Sequence, residues 1–284
     1  NDGVLDASHS VSAYWYGKNK AASLFGTGPV FGGSPTTMLS WFYAGGGDKL
    51  FAELLQKKMG MKIVGYFGFP MPAQPFGWFK KPVSGLADIK GMKYRTVGLA
   101  ADVMQRMGMS VAQLPGGEIV PAMERGVIDA FEFNNPSSDM RFGAQDVAKY
   151  YYLASYHQAQ EAFEFLFNQD FYENLSKDLQ AILRYSVEAA STANTAYALD
   201  NYSADMLKLQ KQNGVNLERT PQDILQAELS AWDQIIPELE KDEMMKRILD
   251  SQRAWVERVT YYELLNAPDY TLAYKHYFPN KLKT

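Results

Sequence analysis

The chain has 284 residues, enough for one large or two ordinary domains with well-filled cores. Its 28 Lys+Arg and 32 Asp+Glu leave a net charge of -4, mixed along the sequence, which excludes a nucleic-acid footprint or a polybasic membrane patch and points to a small partner. There is no cysteine for redox or thiolate chemistry, and no apolar run long enough to cross a bilayer as a helix; the first residues also lack the layout of a signal peptide, as a mature exported chain would.

The pentad Gly3-Val-Leu-Asp-Ala7 recurs as Gly126-Val-Ile-Asp-Ala130, which suggests two similar units. In the second copy, residues 121–125 read as the end of a helix, Gly126 as its left-handed cap and 127–133 as a strand carrying Glu132. The first copy has the cap and strand but almost nothing before them, so the chain is expected to start partway into a lobe. Alternation predicts a strand over 9–15, followed by a Gly/Pro-rich loop over 26–35 of the kind that borders sites. Helical spacing covers 38–43 and 48–59. Residues 61–69 read as a strand, and Pro70 to Pro75 interrupt it before 76–79, as a chain crossing between two lobes would.

From 92 to 133 the predicted order is strand, helix, strand, helix, strand, the signature of an α/β lobe with a mainly parallel sheet. Asn134-Asn135-Pro136 reads as a second crossing, with strands at 147–155 and 163–167 after it. Beyond Asp170 the pattern is helical: 179–212, closed by Asn213-Gly214, then 221–235 and 239–265.

The three histidines, His9, His157 and His276, fit no zinc or catalytic spacing, and neither a nucleophile elbow nor a phosphate loop is present. Glu161 and Glu164 fall three apart on a predicted strand, hence on opposite faces, and do not make a dyad. Four polar residues stand where strands end or the chain crosses: Gln74, Arg95, Glu132 and Gln158. Arg95 inside a strand offers a planar fork matched to a carboxylate, although a structural salt bridge is an equal reading. Gln74, Glu132 and Gln158 offer only oxygen ligands, which suits a hard cation such as Na⁺ or Ca²⁺.

The stretches Ala13-Tyr-Trp-Tyr-Gly-Lys-Asn19, Gln74-Pro-Phe-Gly-Trp-Phe-Lys-Lys81, Gly91-Met-Lys-Tyr-Arg-Thr-Val-Gly98 and Leu114-Pro-Gly-Gly-Glu-Ile-Val-Pro121 occur in order. With Arg125-Gly-Val-Ile-Asp-Ala130 and Val147-Ala-Lys-Tyr-Tyr-Tyr152 they give the chain a resemblance, over nearly its whole length, to periplasmic substrate-binding subunits of TRAP (tripartite ATP-independent periplasmic) transporters. The similarity is to the type that binds 2-oxo or 2-hydroxy monocarboxylates.

That resemblance implies a two-lobed α/β periplasmic binding-protein fold with mainly parallel sheets, crossing hinge strands and long C-terminal helices. The corresponding division is 1–73 with 133–157 as the first lobe, 74–132 with 158–220 as the second, and 221–284 as bracing or dimerisation helices. The resemblance also implies a periplasmic receptor, not an enzyme, whose partners are a small carboxylate, membrane transporter subunits and a possible second copy. Arg95 would pair with the substrate carboxylate, with Gln74 and Tyr14 beside it. A cation, Na⁺ or Ca²⁺, would be held by Gln74, Glu132, Gln158 and the carbonyl of Phe133. Phe133 stands where tryptophan is common, and Gln158 where some members have glutamate. With Arg95, Glu132 and a monocarboxylate counted, Na⁺ leaves the cluster neutral and Ca²⁺ leaves it positive, which leans towards Na⁺. Members of this family also carry about one strand, helix and strand before the point where Asn1 stands. A metal-assisted enzyme with Glu132 as base, or a sensor domain, are the alternatives.

Overall fold

The structure is a computed structural model that describes residues 3–282. Both copies of the repeated pentad bend alike: Gly3 and Gly126 have φ of +67° and +69°, and the strands β1 (Ala7–Val11) and β6 (Ala130–Phe131) begin at the alanine that ends each pentad. After β1 come a 3-10 turn, Ser12–Trp15, and α1 (Lys20–Ser23), α2 (Pro35–Ala44) and α3 (Gly47–Glu53). Ser34 caps α2 in a capping box with Thr37, and Pro35 takes the first helical position, so the Gly/Pro-rich loop ends in a strong start signal.

Next are β2 (Ile63–Met71), β3 (Gly77–Phe79), β4 (Lys93–Arg95), α4 (Leu99–Arg106), β5 (Ser110–Ala112) and α5 (Ile119–Glu124), then β6. Two short helices, α6 (Pro136–Phe142) and α7 (Ala144–Val147), lead to β7 (Tyr150–Leu153) and β8 (Glu161–Asn168). Helices α8 (Gln169–Glu173) and α9 (Lys177–Lys211), strand β9 (Asn216–Arg219), and helices α10 (Gln222–Leu239), α11 (Glu243–Asn266) and α12 (Tyr270–Tyr277) complete the order.

The strands form two sheets, β1-β8-β2 and β5-β4-β6-β3-β7-β9. They are mixed, not mainly parallel. β4 runs parallel to β5 and β6, and β7 parallel to β9, whereas β3 is antiparallel to both its neighbours and β8 to both of its own. β3 and β8 each enter their sheet from the other one, by way of residues 72–76 and 154–160, and these two entering strands are the antiparallel ones. Gly77 makes the first entry possible: its φ is +129°, and a Cβ there would stand 2.2 Å from the carbonyl oxygen of Phe131 on β6.

Strand pairing redraws the expected lobes. Residues 133–157, expected in the first lobe, hold β7, which pairs with β3 and β9 in the larger sheet. The second lobe was expected to take 158–220, yet β8 pairs with β1 and β2 in the smaller sheet. Asn134-Asn135-Pro136 is not a crossing: the Asn135 side chain accepts from Ser137 and Ser138 N–H and, with Pro136 behind it, starts α6. The crossings are 72–76 and 154–160, and they touch, Gln74 N–H donating to the Gln158 carbonyl at 3.0 Å.

The 35-residue α9 spans roughly 52 Å at the helical rise. It packs on β2 of the smaller sheet and on α6 beside the larger one. Helix α10 lies against α4, and α11 against α2 and α3, so the C-terminal helices brace both halves. Gln252 on α11 reaches a buried carbonyl, Leu24 O, at 2.9 Å. The largest buried apolar cluster accordingly includes Trp41 and Phe67 of one half, Tyr94 and Leu99 of the other, and Trp232 and Ile248 of the braces.

Candidate functional site

β4 lies between β5 and β6, so its middle is covered on both sides and the Arg95 side chain at its end is only 1% exposed. Such a cation must be bonded in full. Nε of Arg95 donates to the Leu114 carbonyl at 2.9 Å, and Nη1 donates to the Glu132 carbonyl at 2.9 Å and to Glu132 Oε1 at 3.1 Å. Nη2 has no partner among the described residues, and the same is true of Glu132 Oε2. The ion pair therefore satisfies half of each group and leaves one donor and one acceptor free. Burial lifts the Glu132 carboxyl to about 7, with Arg95 pulling the other way.

The backbone around Glu132 is held by Asp139 on α6. Its Oδ1 accepts from the N–H groups of Asn134 and Asn135, and its Oδ2 from Trp78 Nε1 and Tyr151 Oη. Burial raises this acid too, to about 6. Gln74 and Gln158 sit on the two crossings, 0% and 2% exposed, and their Oε1 atoms have no partner among the described residues. The loop before Gln158 is fixed by a buried group on α10. Glu228 accepts from Ser155 Oγ and from Tyr156 N–H, and Ser155 Oγ also meets His157 Nδ1. His157 is wholly buried, and desolvation drops its pKa to about 3, so it is neutral.

These groups surround a cavity of about 260 Å³ at the junction of the two sheets, lined by Tyr14, Arg95, Phe133, Gln158 and Glu161 among others. Gln74 and Glu132 lie one layer beneath, reached through Glu161 and Arg95 respectively. The ring of Phe133 lines the wall 5.9 Å from the Arg95 guanidinium. Tyr14 stands at the mouth, 57% exposed, within electrostatic reach of Arg95, Glu132 and Glu161. The structure thus gathers Arg95, Gln74, Glu132, Phe133 and Gln158 and puts Tyr14 at the rim.

The other lining residues, not expected from the sequence, include two titratable ones, His9 and Glu161. His9 stacks on Phe163 and Phe165, at 4.8 and 4.7 Å between ring centroids. Glu161, 3% exposed, accepts from Gln74 Nε2 at 3.4 Å through Oε2, while Oε1 has no partner among the described residues. Burial and then the neighbouring Glu132 push its carboxyl up to about 8, against the pull of Gln74, Arg95 and Gln158. The strand alternation that separates it from Glu164 does hold. Glu164 turns to the other face and accepts from Trp15 Nε1 at 2.6 Å.

The oxygen atoms left free, from Gln74, Glu132, Gln158 and Glu161, are hard donors without nitrogen or sulfur, so the residues fit a hard cation. No three Asp, Glu, His or Cys side chains among the described residues gather into a metal-sized cluster, so such a cation depends on the amides as well. A second hollow of about 180 Å³ lies between α2, α3, β2 and α9, and none of the partnerless buried polar atoms lines it.

The model of the bacterial extracellular solute-binding proteins of family 7 (DctP) matches residues 1–242. A monocarboxylate 2-oxoacid-binding periplasmic protein of Nostoc sp. is 30% identical over 270 residues, covering 94% of this chain and 72% of that protein. Two solved structures superpose with a TM-score of 0.86, covering 97% of this chain and 82% of theirs. One is a TRAP periplasmic solute-binding protein of Pseudoalteromonas atlantica with bound sodium and pyruvate, 30% identical. The other is its counterpart from Colwellia psychrerythraea with bound calcium and pyruvate, 32% identical.

Proposed function

Since the chain belongs to the family 7 bacterial extracellular solute-binding proteins, the receptors of TRAP transporters, we propose that it captures a small 2-oxo or 2-hydroxy monocarboxylate such as pyruvate together with a cation. Such receptors act outside the cytoplasmic membrane, are not enzymes, and deliver small carboxylates to membrane transporter subunits. The observation that carries the ligand reading is the set of buried, partnerless polar atoms at and just beneath one cavity, among them the Arg95 Nη2 donor and oxygens of Gln74, Glu132 and Gln158. Leaving four such groups unbonded costs about 1–3 kcal/mol each, a cost that a carboxylate and a cation together remove.

In this reading Arg95 Nη2 donates to the ligand carboxylate, while Glu132 and Leu114 fix the plane of the guanidinium. Glu132, Gln74, Gln158 and the Phe133 carbonyl would hold the cation, which supplies positive charge next to the ligand's carboxylate and 2-oxygen. Phe133 and Val97 close an apolar wall around a short carbon chain, and Tyr14 at the rim is placed to add a hydrogen bond. Because the cavity lies between two sheets, contacts available in one closed arrangement of the halves favour that arrangement.

Calorimetric titration with pyruvate and lactate tests the reading. Binding is expected with Na⁺ or Ca²⁺ present and is expected to fall at least about tenfold after chelation and desalting. If no short monocarboxylate binds at millimolar concentration, the ligand assignment is wrong.

We also propose that the end of α11 and α12 face a second copy of the chain. Tyr261, Tyr262, Leu264, Leu265, Tyr270 and Leu272 are each more than 60% exposed, and apolar surface of that extent marks an interaction site. Light scattering at micromolar concentration is expected to give twice 32.0 kDa, and Leu265→Arg to reduce it to one chain. A wild-type mass of 32.0 kDa would rule out the tight dimer.

A further inference from the structure

Glu161 opens β8 on the side of the strand that faces the cavity, beside Gln158 and across from Arg95. It is 97% buried, and no cation among the described residues pairs with it, since Arg95 is already bonded to Glu132. One oxygen accepts from Gln74 Nε2, and the other is free. An uncompensated buried carboxylate is costly, and a carboxylate that lines a cavity with hard-oxygen donors has an obvious counter-ion.

We propose that Glu161 is the second carboxylate of the cation site and makes it a Ca²⁺ site in preference to Na⁺. The inference rests on the ligand reading above and carries it further, to the identity of the cation. Charge supports it. With Glu132 and Glu161 both counted against Arg95 and a monocarboxylate ligand, Na⁺ leaves a net negative cluster and Ca²⁺ a neutral one. Without Glu161 the same charges would be neutral with Na⁺ and positive with Ca²⁺. Donor chemistry agrees, because the number of charged oxygen ligands is the main handle on Ca²⁺ affinity. Gln158 contributes no charge, so in this chain the second acid comes from three residues further on, along the strand.

The test is Glu161→Gln, which keeps shape and hydrogen-bonding reach and removes only the charge. Chelator-stripped wild type and variant are titrated with Ca²⁺ and with Na⁺, by calorimetry without pyruvate and with it, and Ca²⁺ uptake is also read by equilibrium dialysis. Wild type is expected to prefer Ca²⁺. The variant is expected to lose at least about tenfold in Ca²⁺ affinity, and with it the preference for Ca²⁺ over Na⁺. Glu161→Asp, with the charge on a shorter arm, is expected to keep the Ca²⁺ preference and guards against a folding defect in the first variant. Equal Ca²⁺ affinity in wild type and Glu161→Gln overturns the proposal and makes Glu161 a neutral hydrogen-bonding acid. If wild type binds Ca²⁺ through Glu161 but no 2-oxoacid at all, the ligand reading fails while Glu161 keeps its role.

Discussion

Arg95→Ala is expected to abolish useful ligand affinity and to weaken the fold as well. Truncating one partner of a buried, hydrogen-bonded charge pair costs about 2–5 kcal/mol of binding, or roughly thirtyfold to several thousandfold in Kd. The same truncation leaves Glu132 buried opposite nothing and strips the Leu114 carbonyl of its donor, for a loss of about 3–5 kcal/mol in stability. Glu132, already lifted to about 7, is expected to escape part of that loss by holding its proton, so the variant is least stable in alkaline solution. Arg95→Lys separates the two effects: it keeps a charge near Glu132 but cannot bond Leu114, Glu132 and a ligand at once. It is expected to melt close to wild type and still bind weakly. Calorimetry and thermal melts of both variants check this, and wild-type affinity in Arg95→Ala would show that the carboxylate is held elsewhere.

The ligand-free protein is expected to lose stability as the solution becomes alkaline, the reverse of the usual behaviour of carboxylates in salt bridges. Burial raises Glu132 and Glu164 to about 7, and Glu161 and Glu228 to about 8, from an ordinary 4.5. Between those values the folded chain holds protons that the unfolded chain has released. The stabilisation is therefore full below about 4.5 and is lost as pH rises through 7 and 8. His157 works in the other direction. Its pKa falls from 6.5 to about 3, so it costs stability as pH drops below 6.5 and has no effect above it. From pH 6.5 to 8 only the acids act, with a loss on the order of 2 kcal/mol each for Glu161 and Glu228. Melting temperatures measured across that range in chelated buffer should fall, and Glu228→Gln, which resembles the protonated acid, should flatten the slope. A flat or rising profile in the wild type contradicts the account.

Much of the larger sheet was legible from local pattern. The alternation of apolar runs with Gly108 and Gly126 marks the order from β4 to β6, because strand and helix periods and glycine caps are written within a few residues. The long α9 was legible for the same reason, with Ser176 as its cap and Asn213-Gly214 after it. Which sheet a strand joins is not local information. Asn134-Asn135-Pro136 reads as a crossing by composition, whereas Asn135 is a helix cap, and nothing in the local pattern shows that β8 returns to the smaller sheet. The strand expected over 147–155 is shorter, β7 running from Tyr150 to Leu153 after α7 ends at Val147.

The candidate site divides in the same way. Arg95, Gln74, Glu132 and Gln158 stand out as isolated polar residues at element ends. Glu161 does not stand out in the same way, because alternation shows that it and Glu164 point apart but not which of them points into a cavity. That depends on β8 lying between β1 and β2 with its outer face on Tyr14 and Arg95, a fact of tertiary packing.

Gln74 and Gln158 sit on the two segments about which the halves would turn, and the backbone bond between them ties those segments together. A group on a pivot hardly travels when the arms swing, since displacement grows in proportion to distance from the axis. Arg95 on β4 and Tyr14 in the turn after β1 belong to different halves. Side chains at such a pivot keep their neighbours through a swing, whereas Arg95 and Tyr14, one on each half, are drawn apart by it.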